Sequence, residues 1–145
     1  MRRLLVTVAA LLLSACGGSS SDGAQLDSAL TGTWNGQTTV SFPGYAPFYY
    51  QSYLHIAVSG QNAVVTAICP DGSGSVTATG TGESASWHGS LSCPGVPLGS
   101  CPSVSATYTS ATATLSNGTM SAQAVGTATG CGMTSNVTVS FTGTK

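Results

Sequence analysis

Charge is what this chain has least of: among 145 residues there are three Lys or Arg and four Asp or Glu, 5% in all. Two of the basic residues, Arg2 and Arg3, stand at the very start. Nucleic-acid affinity rests on several Lys or Arg contacts to phosphate, so the remainder of the chain excludes that partner. Histidine is almost as rare, with only His55 and His88, and neither lies at a metal-ligand spacing from the cysteines. The carboxylates Asp22, Asp27, Asp71 and Glu83 are scattered, and Asp71 and Glu83 read as turn residues rather than the converging acid pair a glycosidase needs. Neither C-x-x-C nor G-x-S-x-G occurs. No catalytic residue, metal site or cofactor is expected, and the chain reads as a non-enzyme.

Long apolar runs are missing too. The longest, Leu4 to Leu13, is ten residues, about half of what a spanning helix requires. A basic start, this short run, and then Leu13-Ser14-Ala15-Cys16 resemble the leader and lipobox of bacterial lipoproteins. The resemblance implies that residues 1–15 are a signal peptide. Cleavage would follow Ala15, and Cys16 would carry the acyl chains, palmitate among them, that hold the protein at a bilayer. Two or three chains make a durable anchor where one is marginal. Gly17 stands where an inner-membrane retention aspartate would be, which points to the outer membrane, facing the periplasm or the surface. Residues 16–29, beginning CGGSSSDGAQLDS, read as a lipidated flexible tether. Removal of the leader leaves Lys145 against four carboxylates, a formal charge of about −3.

Residues 30–145 form one domain, and it reads as strands. Its glycines and its Thr and Val content disfavour helix, and apolar residues recur every second position. In TWNGQTTVSF one face carries Trp34, Gly36, Thr38, Val40 and Phe42. In YQSYLHIAV it carries Tyr50, Ser52, Leu54, Ile56 and Val58. SASWHGSLSC aligns Ala85, Trp87, Gly89, Leu91 and Cys93, and NVTVSFTG aligns Val137, Val139 and Phe141. Weaker strands span Ala63 to Cys69, Ser75 to Gly80, Val104 to Leu115 and Thr119 to Ala128. Both histidines fall on the outward phase.

Short Gly- and Asn-containing links separate them, Asn117-Gly118 being a strong type I′ hairpin signal. Such links join antiparallel neighbours and leave no room for helical crossovers. The fold class is therefore all-β, an antiparallel meander of about eight strands. Closure or partial closure into a barrel protects both edges, and a two-layer β-sandwich is the competing arrangement. The stretch Gly32-Thr33-Trp34 resembles the start of a lipocalin or related calycin barrel, and avidin-type barrels begin similarly. That resemblance implies that Trp34 packs across one barrel end.

Cys69, Cys93, Cys101 and Cys131 are an even set once Cys16 is lipidated, and an exported domain is expected to hold them as two disulfides. Loop length favours Cys93 with Cys101, stapling Pro94 to Ser100, and leaves Cys69 for Cys131. The segment Ser41 to Tyr53 gathers Phe42, Tyr45, Phe48, Tyr49, Tyr50 and Tyr53 around two prolines. It reads as a longer connection whose aromatics form a candidate binding rim or a lid. These features together describe a membrane-anchored envelope lipoprotein with a binding or structural role, its partner an envelope protein or glycan. Two other readings stay open. One is a calycin-like carrier of a small apolar ligand, and the other an inhibitor of an exogenous hydrolase that would use the stapled Pro94 to Ser100 loop.

Overall fold

The computed structural model describes residues 24–96, 101 and 104–145. The leader, Cys16, the first part of the tether, and residues 97–100 of the Pro94 to Ser100 connection lie outside these. The strands are β1 (Gly32–Ser41), β2 (Phe48–Ser59), β3 (Asn62–Thr66), β4 (Ser75–Thr81), β5 (Ser84–Pro94), β6 (Val104–Ser116), β7 (Thr119–Gly130) and β8 (Met133–Thr144). Each pairs antiparallel with the next, and β8 returns to β1, so the sheet closes as a barrel in sequence order. This closure excludes the sandwich.

The period-two pattern decides the faces. Along β1, Trp34, Thr38 and Val40 are buried while Thr33, Asn35 and Gln37 are exposed, and β2 alternates likewise. Tight links follow from local backbone chemistry. Asn117 (φ 50) and Gly118 (φ 75) make the β6–β7 turn, as Asn-Gly predicts. Closure also requires close backbone approach at inward glycines. A Cβ on Gly36 would strike the Thr142 carbonyl oxygen, and one on Gly126 the Thr107 carbonyl oxygen. Glycine at these corners lets strands coil sharply past one another.

A meander alternates its connections between two ends. At the entry end, Leu26 donates its N–H to Gly60 O (2.9 Å) and Asp27 donates to Gly82 O (2.7 Å), strapping the incoming chain across two turns. Asp27 Oδ1 then accepts from Ala29 N and caps a single helical turn, Ser28–Leu30. Leu26 and Leu30 are buried over Trp34, whose Nε1–H donates to Leu30 O at 2.9 Å. The Lys145 ammonium donates to Ala29 O and sits 4.8 Å from the Trp34 ring. Leu26, which the sequence places in the tether, belongs to this packed plug. A second apolar cluster, including Val40, Phe42, Val96, Val104 and Val137, fills the far end.

Two expectations are corrected here. The disulfides are Cys69–Cys93 and Cys101–Cys131, rather than Cys93–Cys101 and Cys69–Cys131. All four cysteines lie at or near odd-numbered links, β3–β4, β5–β6 and β7–β8, which share the far end. Around that end β3–β4 neighbours β5–β6, and β5–β6 neighbours β7–β8. A Cys69–Cys131 bond would have to cross the barrel mouth, so closure rules it out. The Cys93–Cys101 staple expected around the Pro94 to Ser100 loop is absent. Second, Ser41 to Tyr53 is mostly strand. β2 begins at Phe48, because Phe48-Tyr49-Tyr50 already alternates in and out, and only residues 42–47 connect it to β1.

Strand β3 is also shorter than its sequence pattern. Ala67 adopts φ 62, in the left-handed region, and this ends the ladder at Thr66. Only the last part of β2, His55 to Ser59, pairs with β3. The next ladder is shorter still: β4 and β5 pair at Thr79–Ser86, Gly80–Ala85 and Thr81–Ser84 and nowhere else. The wall consequently has a window toward the far end, between β2 and β5, crossed by the β3–β4 loop at residues 67–74.

Candidate functional site

Between the two packed ends the interior is not full. The inward positions of β4, β6 and β7 hold Ala78, Ala111, Ala113, Ala122 and Ala124, whose side chains stop short of the barrel axis. Leu54, Ile56 and Val139 face them, with Trp87, Met120 and Phe141 closing the space. The result is a chamber of about 110 Å³ with no charged side chain in its lining. Thr38 is the inward-facing polar residue there, while Thr112 and Gln123 border the space from the outward phase. An apolar void of roughly 150 Å³ accepts benzene in another protein, so this one is on the scale of a single small apolar group.

A second space, the annex, lies beside the chamber. Where Tyr50 to Leu54 of β2 pair with β1 but lack a partner on the β3 side, a space of about 200 Å³ separates them from loop residues 67–72. Thr38, Leu54 and Ile68 line both spaces. The loop that covers the window is held in shape by its own bonds. Cys69 N–H donates to Ser73 O and Gly72 N–H to Cys69 O, both at 2.8 Å. Asp71 Oδ1 accepts from Ser73 N (3.0 Å) and Ser73 Oγ (2.6 Å), which holds its carboxyl below the ordinary carboxylate value. Gly74 (φ 86) lies where a Cβ would press on Cys69 Sγ. The Cys69–Cys93 bond then fastens the loop to β5.

At the junction of chamber and annex sits a group of hydroxyls. Thr38 Oγ1 and Ser52 Oγ are 2.5 Å apart, one donating to the other. Burial raises the Tyr50 phenol above its ordinary 10.0, and a hydrogen bond with Thr38 partly offsets that. Tyr108, deeper in the far-end cluster, is raised strongly by burial and then by the nearby Tyr50. Both phenols are therefore neutral near pH 7.

The six aromatics read as a rim are divided by strand phase. Phe42 is buried, and Phe48 and Tyr50 pack against the far-end cluster. Phe42 is thus a core residue rather than part of a rim, while Phe48 and Tyr50 are half-buried. Tyr45, Tyr49 and Tyr53 are exposed. Both histidines face solvent; His55 Nδ1 lies 2.8 Å from Thr33 Oγ1 and its ring 5.2 Å from that of Tyr53. Among the described residues no three His, Cys, Asp or Glu side chains converge as a metal site would require. Sequence reasoning saw small inward residues without showing that they lie level with one another, which is what makes the chamber. It also missed the window, whose only local signal is the pair of Gly residues at 72 and 74.

Compared with known proteins, the chain matches no family model, no curated protein and no solved structure.

Proposed function

We propose that this barrel is a non-enzymatic binding protein that takes one small, uncharged, largely apolar molecule into its middle through the window between β2 and β5. The observation that carries this reading is the group of five inward alanines lining one space, which leaves an uncharged chamber between two well-packed ends. A barrel evolved only for rigidity gains stability by filling such a band with larger aliphatic side chains. Titration of the labelled protein with toluene, followed by methyl and indole NMR signals, tests it. Shifts centred on Ala113, Ala122 and Trp87, lost in Ala122→Leu, are the expected result. Absence of shifts at saturating toluene, or equal shifts in the filled variant, would overturn the reading.

We also infer that the barrel is exported and anchored at the outer membrane through acylated Cys16. Support comes from the lipobox resemblance and from the pairing of all four domain cysteines, which an oxidising compartment permits. The strap brings the chain in at the entry end, so a tether there would leave the window's end pointing away from the bilayer. The barrel's outer face, with Thr33, Asn35, Gln37 and Gln51, is the reverse of the apolar belt on a spanning barrel. Labelled palmitate should be incorporated by the wild type and not by Cys16→Ala; equal labelling would refute the anchor.

A second surface supports contact with an envelope partner. Tyr49 and Tyr53 stand outward on β2 opposite Thr39 and Asn35 of β1, with the Gln51–Gln37 pair between them. Exposed phenols flanked by amides and without formal charge suit a neutral glycan. Co-sedimentation with insoluble polysaccharide, reduced in a Tyr49→Ala/Tyr53→Ala variant, would support this; equal sedimentation of both proteins would reject it.

A further inference from the structure

The chamber is not purely apolar, and its one inward polar residue occupies a particular place. Thr38 lies on β1 midway between the two packed ends and lines both the alanine chamber and the annex. Its hydroxyl meets Ser52 Oγ at 2.5 Å, and Tyr50 is its register partner on β2. Each hydroxyl offers one donor and two acceptor sites, so the group has hydrogen-bonding capacity left after these contacts. The Thr38–Ser52 pair satisfies itself and still offers lone pairs to a hydroxyl placed beside it.

We propose, building on the binding reading above, that the ligand is a small neutral amphiphile: an apolar ring or short chain seated among the alanines, carrying one hydroxyl that bonds to the Thr38–Ser52 pair at the neck of the annex. The apolar part fits the chamber's size. The head group fits the Thr38 hydroxyl, which lines both spaces. A charged head does not fit, because no basic side chain lines either space and the Asp71 carboxylate stands at the annex. That carboxylate is held ionised by Ser73, and it disfavours anions further.

The test uses four probes on the intact domain, read by the same NMR titration: toluene, 4-methylphenol, hexan-1-ol and benzoate. The phenol is expected to bind about five- to tenfold more tightly than toluene, the range one net hydrogen bond supplies. Benzoate is expected to bind more weakly than either. Thr38→Val keeps the shape and removes the hydroxyl, so it should erase the preference for the phenol while leaving toluene affinity unchanged. Ser52→Ala serves as the second variant, with a smaller loss in the same direction. Whether 4-methylphenol or hexan-1-ol binds better distinguishes a ring from a chain, and either result supports the proposal provided the hydroxyl preference depends on Thr38. Equal affinity for toluene and 4-methylphenol, or a preference that survives both variants, overturns the amphiphile proposal and leaves the apolar reading standing. Failure of all four probes overturns both.

Discussion

Cys69 is bonded to Cys93 across the stretch where β4 and β5 exchange no ladder hydrogen bonds. The bond therefore stands in for missing sheet. It fastens the loop that covers the window to the strand that carries Trp87, and Cys93 is itself fully buried. By contrast, Cys101–Cys131 ties the β5–β6 connection to an exposed β7–β8 turn, away from the chamber lining.

The two bonds should consequently differ in effect. Each closes a loop of comparable length, 24 and 30 residues of separation, so loop entropy assigns each roughly 3–4 kcal/mol. Hydrogen exchange separates them. In Cys69→Ala/Cys93→Ala, amides of residues 67–74 should exchange faster while the β6–β7–β8 ladders keep their protection. In Cys101→Ala/Cys131→Ala the window loop should stay protected. Equal protection of residues 67–74 in both variants would contradict a covering role for the first bond.

Ala122→Leu should fill the chamber. About three buried CH₂ equivalents at ~0.8 kcal/mol each would be gained, less some strain. A thermal midpoint unchanged or raised, together with loss of probe binding of tenfold or more, is the expected outcome. Ala128→Leu provides the contrast, because Ala128 lies in the packed far-end cluster. Overpacking there should cost about 1–3 kcal/mol. If calorimetry shows both substitutions equally destabilising, the chamber is not vacant space.

Gly126→Ala should be among the most damaging single-methyl changes. The new Cβ collides with the Thr107 carbonyl across the β6–β7 ladder, and a backbone atom cannot move aside as a flexible side chain can. A loss of about 3 kcal/mol or more is expected in urea unfolding. Gly118→Ala, with open space around its Cβ but φ 75, should cost less; the reverse order would argue against close approach as the reason for glycine at 126.

Stability should fall at alkaline pH. Tyr50 and Tyr108 both have folded pKa values above the ordinary 10.0. Such groups hold their protons more tightly folded than unfolded, so their contribution is complete below pH ~10 and is lost as pH climbs above it. Denaturant midpoints should be flat with respect to these groups from pH 7 to 9 and decline beyond 10. Tyr50→Phe/Tyr108→Phe should flatten that decline. A double variant with an unchanged alkaline slope would place the titrating groups elsewhere.

Local chemistry determined much of this protein from sequence alone. Alternation in TWNGQTTVSF and YQSYLHIAV assigned faces to Trp34, Thr38 and Leu54, and Asn117-Gly118 marked its turn, because strand pleat and positive φ depend only on near neighbours. The short links then implied antiparallel neighbours. What the sequence could not carry was position around the closed ring. Cys93 lies eight residues from Cys101 yet bonds to Cys69, since closure makes β3–β4 and β5–β6 adjacent and separates Cys69 from Cys131 by the barrel's width. The same holds for the chamber. Ala111, Ala113, Ala122 and Ala124 are unremarked small residues along the chain, and only the register of β6 and β7 pairs Ala111 with Ala124 and Ala113 with Ala122, leaving room that no strand's own pattern discloses.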